Sequence, residues 1–258
     1  MRTYALPGAI AALIAGPALS DTAFGLAGDR TLVEIDLTAA QVVGMRDIDV
    51  DGRLLGLDYR PATGRIIAVT EDFTVVNIDV QTGMVEEVVT MDTPLEFDAD
   101  TPVIVDINPV PDALRFMAGT VNHRVNLSSG EVTVDGELHF DDGTDGAPMV
   151  GGTAYTNVVD GAEETRMFNI DVSRGALLRQ TAPNDGVMEV TGDLGVMFDG
   201  PIGFDVVTDS DGNDTAWLYA NGMFHTVDLE AASILDSWEI EALDIALRDI
   251  AVMPGSDD

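Results

Sequence analysis

The 258-residue chain has no cysteine and no lysine, only three histidines, and aromatic rings at 6% of its positions. Without cysteine, disulfide cross-links, thiolate catalysis, iron–sulfur clusters and cysteine zinc sites are all excluded. Twelve arginines carry the whole basic charge against 46 acidic residues, leaving a net charge of −34. A surface of that sign repels nucleic acid and anionic lipid, because both need basic groups to neutralise phosphate. It keeps the chain soluble while opposing compaction through self-repulsion. Two readings of the excess stay open: a solvated acidic shell suited to a saline exterior, or a sink for calcium or another cation.

Long apolar runs are equally scarce. The one near the start, Ala5 to Leu19, is too short to span a bilayer. Arg2 before it and Ala18-Leu19-Ser20 at its end mark residues 1–20 as a secretory signal peptide, cleaved before Asp21. The expected product, residues 21–258, is a periplasmic or secreted monomer with no membrane span. It is long enough to bury a single core without a staple.

What is present is a repeat. Short apolar runs contain Leu57-Asp58-Tyr59, Val105-Asp106-Ile107, Thr153-Ala154-Tyr155, Phe204-Asp205-Val206 and Arg248-Asp249-Ile250, spaced 48, 48, 51 and 44 residues apart. About 20 residues after each of the first four comes a second marker: Ile78-Asp79-Val80, Val125-Asn126-Leu127, Ile170-Asp171-Val172 and Val227-Asp228-Leu229. A period near 48 suits a blade of four antiparallel strands. The fifth anchor runs out of chain before its second marker, whereas Glu34-Ile35-Asp36-Leu37 is a second marker without an anchor. The two ends therefore complete one unit, and five units close a ring that leaves only short, protected edges. The expected fold is an all-β, five-bladed β-propeller of four-stranded antiparallel blades, the last closed by N-terminal strands.

Within the first unit, Leu54 to Pro61, Arg65 to Thr70, Phe73 to Val80 and Met84 to Met91 read as strands separated by turn residues. Leu229 to Leu247 has a helix-like spacing of apolar residues, but the repeat requires a strand there.

Five stretches in order, Gly56 to Gly64, Asn108 to Arg115, Asn122 to Leu127, Ala154 to Asn157, and Pro183 to Gly186 followed by Leu194-Gly195-Val196, resemble a bacterial family catalogued as domain of unknown function 4394. The resemblance implies an exported protein built on a propeller-like repeat and implies no activity or functional residue. The chain departs from the family pattern at Arg65-Ile66-Ile67-Ala68, where an aromatic residue and a glycine are common.

Chemistry rests on the anchors. Asp58, Asp106, Asp205 and Asp249 occupy equivalent positions on innermost strands, so ring closure brings four carboxylates toward the central channel. Converging like charges raise one another's pKa unless a cation sits among them, and hard oxygen ligands suit calcium or magnesium. The structural alternative is that each aspartate bonds backbone N–H groups or an arginine of the adjacent blade, with Arg60 and Arg248 available. Asp209 to Asp214 has the oxygen-rich look of a calcium loop, but its glycine is at the fourth position rather than the sixth; it and Asp141 to Gly146 read as turns.

The functional expectation is an exported binding or scaffold module for an unknown small ligand or protein, with a cation or small ligand at the channel and no nucleic-acid partner. The alternative is a carboxylate-dependent glycoside hydrolase drawing on Asp58, Asp106 and Asp205. Its sugar platforms would come from Tyr59, Tyr155, Tyr219, Trp217 and Trp238. No Gly-x-Ser-x-Gly elbow, phosphate loop or zinc-binding His-Glu-x-x-His occurs, and His123, His139 and His225 read as scattered packing or surface residues.

Overall fold

The computed structural model describes residues 21–99 and 101–255; the expected signal peptide lies outside the described residues. All regular structure among them is β. In chain order the strands are β1 (Thr22–Ala27), β2 (Thr31–Asp36), β3 (Gln41–Asp47), β4 (Leu54–Arg60), β5 (Arg65–Thr70), β6 (Thr74–Ile78), β7 (Val85–Thr90), β8 (Val103–Asn108), β9 (Ala113–Ala118), β10 (Val121–Asn126) and β11 (Val132–Val134). There follow β12 (His139–Phe140), β13 (Val150–Tyr155), β14 (Met167–Asp171), β15 (Ala176–Ala182), β16 (Val187–Asp193), β17 (Gly203–Thr208), β18 (Asp214–Ala220), β19 (Met223–Asp228), β20 (Ser233–Glu239) and β21 (Leu247–Met253). No helix of the described residues is long and apolar enough to cross a membrane.

These strands form five sheets, the blades of a five-bladed propeller. Blade one is β4 to β7, blade two β8 to β11, blade three β13 to β16, blade four β17 to β20, and blade five β21-β1-β2-β3. The five anchors fall on β4, β8, β13, β17 and β21, and these innermost strands touch one another in that cyclic order. Blade five mixes the two ends of the chain: β1 pairs antiparallel with β21 from Thr22 opposite Met253 to Ala27 opposite Leu247.

Each blade is covered on both faces, which is why its strands read as continuous apolar runs rather than alternating ones. Successive side chains point to opposite faces, so β1 sends Ala23 and Ala27 into the seam with blade four, and Phe24 and Leu26 into the seam with blade one. Five apolar clusters fill the five seams. Leu229 to Leu247 contains strand β20 and no helix, as the repeat requires.

The second markers are turn formers. Asp36, Asp79, Asn126 and Asp228 end the third strand of their blades, and one side-chain oxygen of each accepts the N–H groups two and three residues on. This turn needs a short oxygen acceptor at its first position, which explains the recurrence of Asp or Asn.

Blade three departs from the expectation twice. Its marker, Asp171, makes the same turn but ends the second strand, because 156–166 form a long connection where other blades have a tight turn. It also has five strands rather than four: β12 joins its outer edge in parallel with β16. The chain can reach that edge because Gly136 passes where a Cβ would lie 2.3 Å from the Asp185 carbonyl oxygen.

The inner seam of β17 against β21 has no room for a side chain at Gly203, whose Cβ would stand 2.7 Å from the Ile250 backbone nitrogen. Gly203→Ala should therefore force backbone apart and lower stability by about 1–3 kcal/mol. A reduced urea midpoint at unchanged slope is the expected readout.

Candidate functional site: the central channel and its mouth

The inner-strand aspartates lie within the ring and stitch it together. Asp58 on β4 accepts the N–H of Tyr59 at 2.6 Å and that of Ile107 on β8 at 2.5 Å. Asp205 on β17 accepts from Val206 at 2.6 Å and from Val252 on β21 at 2.5 Å. Asp249 on β21 accepts from Ile250 at 3.0 Å and from Leu57 on β4 at 2.9 Å. Asp106 on β8 takes the backbone N–H of Tyr155 on β13. Four of the five seams thus carry one bond from an inner carboxylate to the next blade. The seam from blade three to blade four has Ala154 at that position, packed into the apolar cluster, and is tied farther along by Val158 N–H to the Thr208 hydroxyl at 2.7 Å.

Stitching does not exhaust the arrangement. Asp58, Asp106 and Asp205 are buried, at 4–5% exposure, and each offers an oxygen such that all three lie within 4.8 Å of one another. Asp249 stands outside that trio. Arg60 and Arg248, the partners expected from the sequence, do not bond any of the four: Arg60 reaches Asp112 on the next blade, Nε to Oδ1 2.8 Å, and Arg248 is spent on backbone carbonyls.

Electrostatics follow from this geometry. Burial, then the neighbouring Asp205, holds the Asp58 carboxyl well above its usual range. Asp106 is raised likewise by burial, then by Asp58 and Asp205. Burial pushes Asp205 up to about 7, and Asp249 also to about 7. At neutral pH the channel therefore either retains protons or needs a compensating cation.

The channel opens at the end where the inner strands begin. Leu55, Val103, Gly151, Ile202 and Arg248, one from each blade, line a cavity of about 430 Å³ there, together with Arg53, Phe97 and Asp249. Its rim is built from the connections that carry the chain from one blade's outer strand to the next blade's inner strand.

The remaining candidates fall elsewhere. Asp209 caps the β17–β18 turn by accepting from Asp211 and Asn213, and Asp142 does the same for Thr144, as the turn reading expects. Tyr155 is buried and bonded by Arg115; Trp217 and Tyr219 belong to the seam between blades four and five, and Trp238 leans on Trp217 from an outer strand. None of these rings, nor Tyr59, lines the mouth. His225 bonds Ser237 and His139 a neighbouring carbonyl, and neither belongs to the carboxylate trio of the channel. Sequence reasoning missed Arg53 and the buried Arg115, whose guanidinium bonds Asp135 and Asn122; no spacing rule singles out an arginine whose partners are 20 residues away or absent.

The model of a domain of unknown function, DUF4394, matches residues 25–251. The chain belongs to this family. Solved structures resemble this DUF4394 member at low identity. A luciferin-regenerating enzyme is 12% identical with a TM-score of 0.51, over 85% of this chain and 72% of that one. A protein of unknown function from Bacteroides caccae is 14% identical with a TM-score of 0.44, over 86% and 73%. A functionally unknown protein from Desulfotomaculum acetoxidans DSM 771 is 14% identical, also at 0.44, over 89% and 72%. A search of curated proteins finds no match. At such identities the likeness concerns the fold alone.

A carboxylate whose folded pKa is raised contributes stability that is complete below its unfolded value, 3.8, and is lost as pH rises through the folded value. With Asp205 and Asp249 near 7, the chelator-treated protein should lose thermal stability from about pH 5 to about pH 8. Each 1 kcal/mol lost lowers the melting temperature by roughly 2–4 °C. His123 and His225, whose pKa burial lowers, act in the opposite sense over the lower part of that range. Asp106→Asn, which removes one charge and keeps the shape, should flatten the decline; an unchanged slope would show that the carboxylates do not repel one another.

Proposed function

We propose that this DUF4394 protein is an exported binding module of the periplasm or exterior, monomeric, that holds a hard divalent cation, calcium first, in its central channel. The observation that carries this reading is the trio of buried carboxylates within 4.8 Å of one another, with no arginine of the described residues bonded to them. A cation would discharge three groups that burial and mutual repulsion otherwise hold toward protonation.

The donor set fits calcium in kind and in scale. Calcium binds oxygen at roughly 2.3–2.6 Å, so ligands on opposite sides of the ion stand up to roughly 5 Å apart. Three carboxylates supply fewer than the roughly 6–8 oxygens calcium takes; water and main-chain carbonyls of the inner strands would complete the shell. The ion would also reinforce the seams, because Asp58 and Asp205 each hold a neighbouring strand by a backbone N–H while facing the axis.

Binding is favoured over glycoside hydrolysis. A hydrolase needs one carboxyl group to reach the scissile oxygen and another the sugar carbon or a water, whereas Asp58, Asp106 and Asp205 are almost wholly enclosed. The aromatic rings that would stack on a sugar are spent in blade seams or lie on outer strands.

Calcium added after chelator treatment at neutral pH should raise the melting temperature. Saturation at 100 times the dissociation constant is worth about 2.7 kcal/mol, or roughly 5–10 °C for a domain of this size. The increment should vanish in Asp106→Asn while that variant stays folded. No calcium shift in the parent protein would remove the cation from the channel, and turnover of a glycoside that Asp58→Asn or Asp205→Asn abolishes would move the reading to the hydrolase.

A further inference from the structure

The mouth of the channel carries a second, opposite chemistry. Among the described residues seven arginines form ion pairs with carboxylates: Arg46, Arg60, Arg65, Arg115, Arg124, Arg166 and Arg174. In a chain with 46 acidic residues that is the expected fate of an arginine. Arg30, Arg53, Arg179 and Arg248 escape it, and of these Arg53 and Arg248 line the same cavity. They are near enough that Arg53, after burial, helps to push the Arg248 guanidinium down to about 10.

The two have different parts. Arg248 is fixed in place: Nε donates to the Gly28 carbonyl at 2.6 Å, Nη1 to that of Leu55 at 3.1 Å, and Nη2 to those of Asp29, at 3.1 Å, and Leu54. A guanidinium has five N–H donors, so one remains while the full charge stays at the mouth. Arg53 is the unspent group: its Nε is buried without a partner, a desolvated donor that costs about 1–3 kcal/mol when left unsatisfied. Asp249, the acid on the same wall, has both oxygens engaged by the N–H groups of Leu57 and Ile250. Leu55, Phe97, Val103 and Ile202 supply an apolar part of the wall.

We propose that the channel mouth is a binding site for a small organic carboxylate, its anionic head held by the fork of Arg53 beside the fixed charge of Arg248 and its apolar body lying against Leu55, Phe97, Val103 and Ile202. Such an anion relieves the repulsion between two adjacent guanidinium groups and satisfies the orphaned donor, and the planar guanidinium fork matches a carboxylate in bidentate fashion. A cavity of about 430 Å³ is within the usual range for small-molecule sites, roughly 300–1,000 Å³. The site needs no metal, so it stands or falls apart from the cation reading.

The test is calorimetric titration of the full mature chain with hexanoate, its neutral analogue hexanamide, and inorganic phosphate. An ionic strength of about 0.15 M confines the repulsion of the acidic shell to about 8 Å. Hexanoate should bind at least about tenfold, or about 1.4 kcal/mol, more tightly than the amide, and more tightly than phosphate, which lacks the apolar body. Arg53→Gln should abolish the preference for hexanoate over the amide. Arg53→Lys should restore part of it, and Arg179→Gln, an exposed arginine on β15, should leave it intact. A circular dichroism spectrum and a cooperative thermal transition matching the parent's would show that Arg53→Gln is folded, independently of any cation. Absence of hexanoate binding, equal binding of the amide, or binding indifferent to Arg53→Gln would each overturn the proposal; phosphate binding as well as hexanoate would reduce the site to a charge without an apolar wall.

Discussion

The pairing of β1 with β21 is the constraint on which the remainder depends. Six residues from near the start of the described chain face six from its end, Thr22 to Met253 through Ala27 to Leu247. Without that ladder β21 would be an unpaired strand, blade five would have no inner edge, and the seams on both sides of it would lose a wall. Asp249 and Arg248 reach the axis only because β21 is held there. The closure holds the two ends together without a disulfide: about 230 residues of intervening chain are closed by backbone hydrogen bonds and two apolar seams.

A ring of sheets packed face to face must solve a problem at its axis, where five inner strands converge with their ends unpaired on the channel side. Here Asp58, Asp205 and Asp249 each accept one N–H from their own strand and one from the next, and Asp106 accepts one from the next. These bonds add to the five apolar seams in holding blade to blade. The stitching also has a cost, because it crowds anionic groups into a dry channel. That tension between cohesion and repulsion is relieved either by protons or by a cation.

The same protein places opposite charges at different depths of one channel. The acids are on the mid-strand anchors, and Arg53 and Arg248, neither in an ion pair, are at the end where the strands begin. An overall charge of −34 sets a repulsive background for anions, against which a desolvated pair of guanidinium groups in a low-dielectric cleft is a local exception.

The repeat, the number of blades, the wraparound and the placement of Asp58, Asp106, Asp205 and Asp249 on inner strands were all legible in the sequence, because they follow from local propensity repeated at a fixed period. The turn-forming role of Asp36, Asp79, Asn126 and Asp228 is local too. Blade three shows the limit: the long 156–166 connection moves Asp171 to an earlier turn, and β12 is added from the preceding segment, since strand order depends on which edges meet in space. Likewise a one-dimensional pattern could say that the aspartates share a ring but not that three of them come within 4.8 Å and the fourth stands aside. Nor could it say that Arg60 turns to Asp112 while Arg53 is left without a partner. Periodicity determines which residues are equivalent; only tertiary packing decides which of them touch, because contact across a seam depends on register and loop length, and neither is written into any single repeat.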